Sequence, residues 1–188
     1  MSTKRALQTE ILQYRNAERL FKLGARVPIV AEMTRLSSWF LRKLSLEIRG
    51  EAPRKGQIPN SDQWYLRRQN HLQASLFCAI YDSVKRVACD EADECALLVS
   101  AYSELGRAVE AAGLPLLMSV DRAWWLLKSL QIRNLQRARC RVCGARYLQP
   151  WGKLERNFLC SDCRGRGYTL AGGRNPRRVT RRAGHDCV

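Results

Sequence analysis

Apolar side chains recur every three or four positions along the first 132 residues, which is the spacing of one buried face of an α-helix. The clearest series are Leu7, Ile11, Tyr14, Leu20 and Leu23; Trp64, Leu72, Leu76, Ile80, Val84 and Val87; and Leu98, Tyr102 and Leu105. The pattern predicts helices near residues 5–23, 28–35, 38–49, 62–88, 91–112 and 119–134. We therefore expect a mainly α-helical fold, with a multi-helix domain over residues 1–134.

The ends of several predicted helices coincide with residues that favour helix starts. Suitable N-caps are Ser38, Ser61, Asp90 and Ser119, and Pro28 suits a first helical turn. Residues 50–60, GEAPRKGQIPN, contain two glycines and two prolines and are predicted to form a loop. Because this loop carries Arg54 and Lys55, it is a basic loop that can reach a backbone phosphate or simply stay solvated.

Residues 28–49 have the pattern of a helix-turn-helix-like segment. One helix is predicted to end near Arg35 and the next to begin at Ser38. Small and apolar residues occupy the positions where such a motif packs, namely Val30, Ala31, Leu36, Leu41 and Leu44. The second helix would present Ser37, Ser38, Trp39, Arg42 and Lys43. Arg35 stands where the turn often has glycine, and helix pairs of this kind also pack against a core or a partner, so both interpretations stay open.

Two pairs of cysteines, Cys140 with Cys143 and Cys160 with Cys163, are separated by sixteen residues. Their C-x2-C spacing is typical of a four-cysteine zinc site, and four thiolates form the closed tetrahedral cage of a structural ion. The sequence predicts one structural Zn²⁺ in a module over residues 135–166. A short hairpin between the pairs would supply a small core of Tyr147, Leu148, Trp151, Phe158 and Leu159, while Gly144 and Gly165 would allow the sharp turns. Redox or iron-sulfur chemistry and catalytic zinc are the less favoured alternatives.

The apolar runs and the remaining cysteines indicate in which cellular compartment the protein is expected. No apolar run approaches the roughly 18 residues of a membrane span, and the first residues lack the apolar core of a secretory signal. We therefore expect a cytoplasmic protein without a membrane partner. A reducing compartment disfavours a disulfide framework, so Cys78, Cys89, Cys95 and Cys187 are interpreted as ordinary thiols.

Positive charge is concentrated in the last third of the chain. The formal net charge is +16, and residues from Arg133 onward contribute +11 of it. The predicted zinc module keeps a surplus of about +4 after a four-thiolate zinc cage of formal charge −2 is subtracted. Residues 167–188 are rich in glycine and arginine and lack apolar periodicity, so they are predicted to be a mobile basic tail. Phosphate is the partner that such charge favours, and a solvated surface kept for solubility is the alternative.

Several short motifs lie between about residues 20 and 165. They are LGAR (23–26), the RG, P-x-KG and Trp64 of the segment 37–66, QNHLQASLF (69–77), AY (101–102), GLPLL (113–117), RAW (122–124) and the four cysteines. In this combination the chain resembles the FlhC family, whose members are subunits of the bacterial flagellar master transcription regulator. The resemblance implies a transcriptional activator that assembles with FlhD into a hetero-oligomer, binds promoter DNA of flagellar operons and recruits RNA polymerase. It also implies that Cys140, Cys143, Cys160 and Cys163 are the zinc ligands.

The leading hypothesis is therefore a non-enzymatic DNA-binding subunit of an activator complex, in which basic surfaces contact phosphates and a few side chains read bases. The candidate DNA-contacting residues, taken as a set, are Arg42, Lys43, Arg49, Arg54, Lys55, Arg139, Arg141, Arg146 and Arg156. One alternative is a zinc-ribbon protein that binds RNA or the ribosome. Another is a metal-dependent nuclease, which the presence of only two histidines disfavours.

Overall fold

The computed structural model describes residues 7–54, 56–88, 93–152 and 159–166, and in these ranges the fold is mainly helical, as predicted. The helices are α1 (Leu7–Lys22), α2 (Val27–Thr34), α3 (Ser38–Arg49), a 3-10 helix (Asp62–Leu66), α4 (Arg68–Val87), α5 (Glu94–Ala111), α6 (Val120–Gln131) and α7 (Ser161–Gly165). Two antiparallel strands, β1 (Leu135–Arg139) and β2 (Arg146–Pro150), form one sheet. None of the helices in these ranges is long and apolar enough to cross a bilayer.

Two of the predicted helices differ from the observed ones. The helix predicted over 62–88 is interrupted at Arg67, whose backbone is extended, and Asn70 donates a hydrogen bond to the Trp64 carbonyl across the break. The helix predicted over 119–134 ends at Gln131. There Arg133 adopts a positive φ of 62°, and the N–H of Asn134 turns back to the Ser129 carbonyl. Apolar periodicity did not reveal either break, because both depend on local polar contacts.

Two helices are capped by residues other than the predicted ones. Ser37, rather than Ser38, caps α3, and its hydroxyl accepts a hydrogen bond from the Phe40 N–H. Asp93 caps α5 by accepting from the Cys95 N–H, while the predicted cap Asp90 lies outside the described residues. Pro28 occupies the first turn of α2 as expected. A capping oxygen stabilises a helix start by about 1 kcal/mol.

The chain divides into two compact units. The first consists of Met1–Asn60 and Phe77–Lys128, and the second of Ser61–Leu76 and Ser129–Val188. The second unit thus includes the segment 61–76 in addition to the cysteine pairs. The boundary between a helical domain over residues 1–134 and a zinc-binding module over residues 135–166 stays a prediction, and the predicted tail, residues 167–188, lies outside the described residues.

Each unit has its own fully buried apolar side chains. The core of the first unit is made of large apolar side chains of α1 to α3, α5 and α6, together with Phe77 and Met118. The largest of those on the helices named are Leu20, Phe21, Ile29, Leu41, Leu98, Leu105 and Leu126. In the second unit Tyr65, Leu135 and Leu148 are at most 2% exposed. Burial of such side chains contributes about 1.5–3 kcal/mol each and holds the elements in place.

The turn between α2 and α3 is closed by an arginine in a left-handed conformation. Arg35 has φ 57° and ψ 19°, and its N–H donates to the Ala31 carbonyl at 2.8 Å. Of the predicted packing positions, Val30 and Leu41 are fully buried. A side chain with a Cβ is strained in this region, so the helix-turn-helix-like segment forms in spite of Arg35 rather than because of it.

Candidate metal centre and basic surfaces

The first cysteine pair lies in the turn of the β1–β2 hairpin. The N–H of Cys140 donates to the Ala145 carbonyl at 2.8 Å, and the N–H of Gly144 donates back to the Cys140 carbonyl at 2.9 Å. Gly144 has φ 72°, which explains the requirement for glycine. The two strands flank the first pair, which the sequence did not predict. A hairpin between the two pairs stays a prediction, because residues 153–158 lie outside the described residues.

The second pair lies at the start of α7. Cys160 caps this helix, and its Sγ accepts from the N–H of Cys163 at 3.4 Å. The N–H of Cys160 in turn approaches Sγ of Cys140 at 3.4 Å and so joins the two pairs. Gly165 was expected to allow a sharp turn, but its φ is not positive. Glycine fits this position because the Arg68 guanidinium lies so close that a Cβ would be 2.8 Å from it.

The four Sγ atoms converge on one point. They all lie within 4.8 Å of one another, and Sγ of Cys143 is 3.7 Å from Sγ of Cys160. A Zn–S bond of about 2.3 Å in a tetrahedron requires sulfurs about 3.8 Å apart. The arrangement can therefore hold a metal ion, and four thiolates leave no position open for a reactant.

The thiols have different proton affinities. Burial raises the pKa of Cys140, but hydrogen bonds from the backbone N–H groups of Cys160, Cys143 and Val142 outweigh it and bring the pKa to about 6. Burial raises the pKa of Cys160 and of Cys163, and neighbouring thiols raise that of Cys163 further. Because ligation requires thiolates, a cation must displace protons from the buried members of the cluster.

The predicted small core is observed in part. Tyr147 and Leu159 are buried with Cys140, Cys160 and Cys163, and Ala138 packs against them. Trp151 is 51% exposed and contacts the Arg133 guanidinium instead. Phe158 lies outside the described residues.

The hairpin also carries the predicted basic residues. Arg139 lies directly opposite Arg146 in the strand register, so the two exposed side chains share one face. Arg137, two residues along β1, projects from that same face, and Arg141 is exposed in the turn. Arg156 lies outside the described residues.

A second basic surface is on α3. Ser37, Ser38, Trp39, Arg42 and Lys43 are all exposed, as the pattern indicated. Trp39 is 69% exposed, and the Lys43 ammonium lies 4.0 Å from its ring centroid. A large aromatic side chain held under a cation in solvent is suited to contact a partner molecule.

Arg49 is placed differently from the other candidates. Its guanidinium donates to the carbonyls of Phe21, at 3.1 Å, and Ala25, at 2.5 Å, and lies against the Phe21 ring. Burial, followed by the nearby charge of Arg54, lowers the pKa of Arg49. Nε and Nη2 of Arg49 thus bind the end of α1 and the turn that follows it, and a DNA contact for this residue stays a prediction.

The basic loop is attached to the helical unit through Arg26. The Arg26 guanidinium donates to the carbonyls of Gly56, at 3.2 Å, and Gln57, at 2.7 Å. Arg54 is exposed in this loop, and Lys55 lies outside the described residues.

Composition and spacing singled out neither Arg26 nor two further residues that organise these sites, Asp121 and His71. Asp121 is buried against Arg26, and His71 is buried beside the cysteine cluster. The only available signal was that Arg26 and His71 fall within stretches that resemble the FlhC family.

Fold and site together define a mainly helical protein with four cysteines placed to hold a metal ion and with two basic surfaces. The profile of the family described as "Flagellar transcriptional activator (FlhC)" matches residues 1–172. Proteins named flagellar transcriptional regulator FlhC are similar to this chain. That of Cupriavidus metallidurans is 31% identical over 87% of this chain and 76% of its own length. That of Gallionella capsiferriformans is 34% identical over 82% of this chain and 84% of its own length. The chain belongs to the FlhC family of flagellar transcriptional regulators.

Proposed function

We propose that the chain is the DNA-binding subunit of a cytoplasmic activator complex that, with FlhD, binds promoters of flagellar operons and recruits RNA polymerase. Family membership supports a regulatory function, and FlhD, the promoters and the polymerase follow from the resemblance. No step of this function requires catalysis by the chain.

The observation that carries the proposal is the pairing of Arg139 with Arg146 on one face of the hairpin. Arginine donates several N–H groups in a plane and binds phosphate oxygens in pairs. The cysteine-containing turn holds the ends of both strands, so the two guanidinium groups are presented by a rigid support. We take this face, with Arg137 and Arg141, as the phosphate-binding surface.

The four cysteines are proposed to hold one structural Zn²⁺. All four donors are sulfur, their Sγ atoms lie within 4.8 Å of one another, and four thiolates leave no open position. The ion would supply folding energy to a part of the chain that has few apolar residues.

The α3 surface is proposed to make a second contact with DNA, in which Arg42 and Lys43 bind phosphates. Arg49, Arg156 and the two basic residues of the loop, Arg54 and Lys55, complete the proposed set. Because α3 and the hairpin belong to different units, each surface requires its own variants.

An open apolar groove on the helical unit is proposed to bind the protein partner. Its volume is about 720 Å³, and its lining combines Ile80, Val84 and Val87 of α4 with Ala108 of α5. Val87 is 87% exposed. An amphipathic helix inserted into such a groove would cover this apolar surface.

Binding to a flagellar promoter across a salt series, with FlhD present, tests the proposal. Arg139→Ala/Arg146→Ala should weaken binding and reduce the slope of log K against log salt by about 2, since each phosphate contact contributes about 0.9. Arg19→Ala/Lys22→Ala removes two exposed charges from α1 and is the matched control. An unchanged slope in the hairpin variant would remove this face from the interface. Equal displacement of the promoter by structured RNA and by random duplex would instead favour an RNA-binding function.

A further inference from the structure

His71 connects α4 to both halves of the cysteine-bearing part of the second unit. It is 5% exposed. Its Nδ1 lies 2.6 Å from Oγ of Ser161, and its Nε2 lies 2.7 Å from the Leu148 carbonyl oxygen. The ring also meets that of Tyr147 edge-on at 5.8 Å. Since a carbonyl only accepts, Nε2 carries the proton and Nδ1 accepts from the Ser161 hydroxyl.

Ser75, one turn further along α4, accepts a hydrogen bond from the backbone N–H of Leu148. The Leu148 N–H donates to Oγ of Ser75 at 3.3 Å. The sheet has two strands in the described ranges, so both groups of Leu148 belong to the edge of β2 that faces away from β1. His71 and Ser75 therefore satisfy an edge that would otherwise be left open.

Arg68 lies on the same face of α4 and reaches the other end of α7. Positions 68, 71 and 75 follow the helical spacing of one face. The Arg68 guanidinium lies so close to Gly165 that a Cβ there would be 2.8 Å from it. This face, which we call the latch face (Arg68, His71 and Ser75), thus contacts α7 at its first residue, Ser161, and at its last, Gly165.

We infer that His71 is a positioning residue for the metal centre and acts through Ser161. Ser161 directly follows Cys160, and the two residues start the helix that carries Cys163. By accepting the Ser161 hydroxyl proton, His71 sets the position of α7 and with it the second pair of sulfurs. Through Leu148 it holds β2, whose turn carries the first pair.

The inference rests on occupation of the four-cysteine centre by a metal, which is part of the proposed function. Residues that orient metal ligands through hydrogen bonds, without binding the metal themselves, typically contribute about 10–100-fold to metal affinity. His71 acts through one intervening residue, so we place its effect near the lower limit.

The experiment is the rate of Zn²⁺ transfer from the full-length protein to a chromogenic chelator. His71→Phe keeps a ring against Tyr147 but removes both hydrogen bonds, and release should become about tenfold faster. His71→Asn places an amide oxygen near the position of Nδ1 and keeps the bond from Ser161. His71→Gln places an amide nitrogen near the position of Nε2 and keeps only the bond to Leu148.

The order of the variants distinguishes positioning from general support of the fold. If the Ser161 bond positions the ligands, Zn²⁺ release should be faster in His71→Gln than in His71→Asn. Ser161→Ala should add little to His71→Gln. The visible d–d bands of the Co²⁺-substituted protein report the geometry of the thiolates and should shift in the same order.

Two controls separate local from global effects. Gln69→Ala changes an exposed residue in the same helix, and Val109→Ala destabilises the core of the first unit. Release at the wild-type rate in zinc-loaded His71→Phe, or acceleration to the same degree in Val109→Ala, overturns the inference and leaves the proposed function intact. A wild-type protein that binds no zinc overturns both the metal assignment and the inference.

Discussion

The carboxylate of Asp121 binds Arg26 twice, accepting from its backbone N–H at 3.0 Å and from its Nε at 3.2 Å. Asp121 is 4% exposed. Because Arg26 also donates to the carbonyls of Gly56 and Gln57, one guanidinium joins the start of α6, the start of α2 and the basic loop. The stretches LGAR, P-x-KG and RAW, far apart in the chain, contain or adjoin residues of this one cluster.

Asp121→Asn should lower the free energy of unfolding by about 2–3 kcal/mol, because Arg26 would lose a largely buried charged partner. Burial raises the pKa of Asp121, and the backbone hydrogen bond and the charge of Arg26 oppose the rise without cancelling it. Urea denaturation measures the change. Glu47→Gln, at an exposed position of α3, is the control and should change stability little. Equal stability of the Asp121 variant would show that the charge is dispensable.

Arg35→Gly should raise the free energy of unfolding by about 0.5–1 kcal/mol. Glycine adopts the observed φ of 57° without steric cost, and this gain exceeds the extra entropy of the unfolded chain. Thermal or urea unfolding gives the value, and Arg35→Ala tests whether loss of the charge is responsible. Stabilisation by alanine to the same degree would contradict the explanation from backbone strain.

Cys143→Ser and Cys160→Ser should each abolish stoichiometric metal binding, because a cage of three thiolates and a weak ligand loses much of its binding energy. Metal analysis of the purified proteins is the measurement. Cys187→Ser, at a cysteine outside the described residues that is predicted to be an ordinary thiol, serves as the control. Full zinc content in both cage variants would exclude these thiols as ligands.

Val87→Asp and Val84→Asp should weaken co-purification with FlhD, because a carboxylate in the apolar groove would be desolvated by an inserted helix. The expected loss of affinity is about tenfold or more, and zinc content should stay unchanged. Leu46→Asp places the same charge on an exposed apolar position of α3. If only the Leu46 variant lost the partner, the interface would lie on α3 rather than on the groove.

Stability should decrease as the pH falls through the range just below 6.5. Burial lowers the pKa of His71 from its usual 6.5, the Leu148 carbonyl opposes the shift, and the charge of Arg164 adds to it. The unfolded chain then binds a proton before the folded chain does, so stability present above pH 6.5 is lost below it. Urea unfolding at several pH values, compared between wild type and His71→Gln, isolates this contribution. Identical pH profiles would exclude His71 as its source.

The helices and the cysteine cluster were predictable because each depends on a short, repeated spacing. Three- and four-residue intervals of apolar side chains predicted that α4 and α5 are helices, and in α5 the series Leu98, Tyr102 and Leu105 is buried as expected. The buried face predicted for α4 was wrong, because Leu72, Leu76 and Val87 are 47%, 41% and 87% exposed. The pairing of strands across Cys140–Cys143 was not predicted, because it involves residues on both sides of the pair. The contacts of His71 with Leu148 and Ser161 join residues 77 and 90 positions apart, and no local pattern reports contacts of that range.

The turn at Cys140–Ala145 also determines which way the arginines face. Side chains alternate along a strand, so a shift of β2 by one residue against β1 would turn Arg146 from the face of Arg139 to the face of Ala138. The hydrogen bonds of Cys140 with Ala145 and Gly144 set the pairing at the closed end of the hairpin. A single residue inserted between Cys143 and Arg146 would therefore leave all four cysteines in the chain and yet separate the two arginines onto opposite faces of the hairpin.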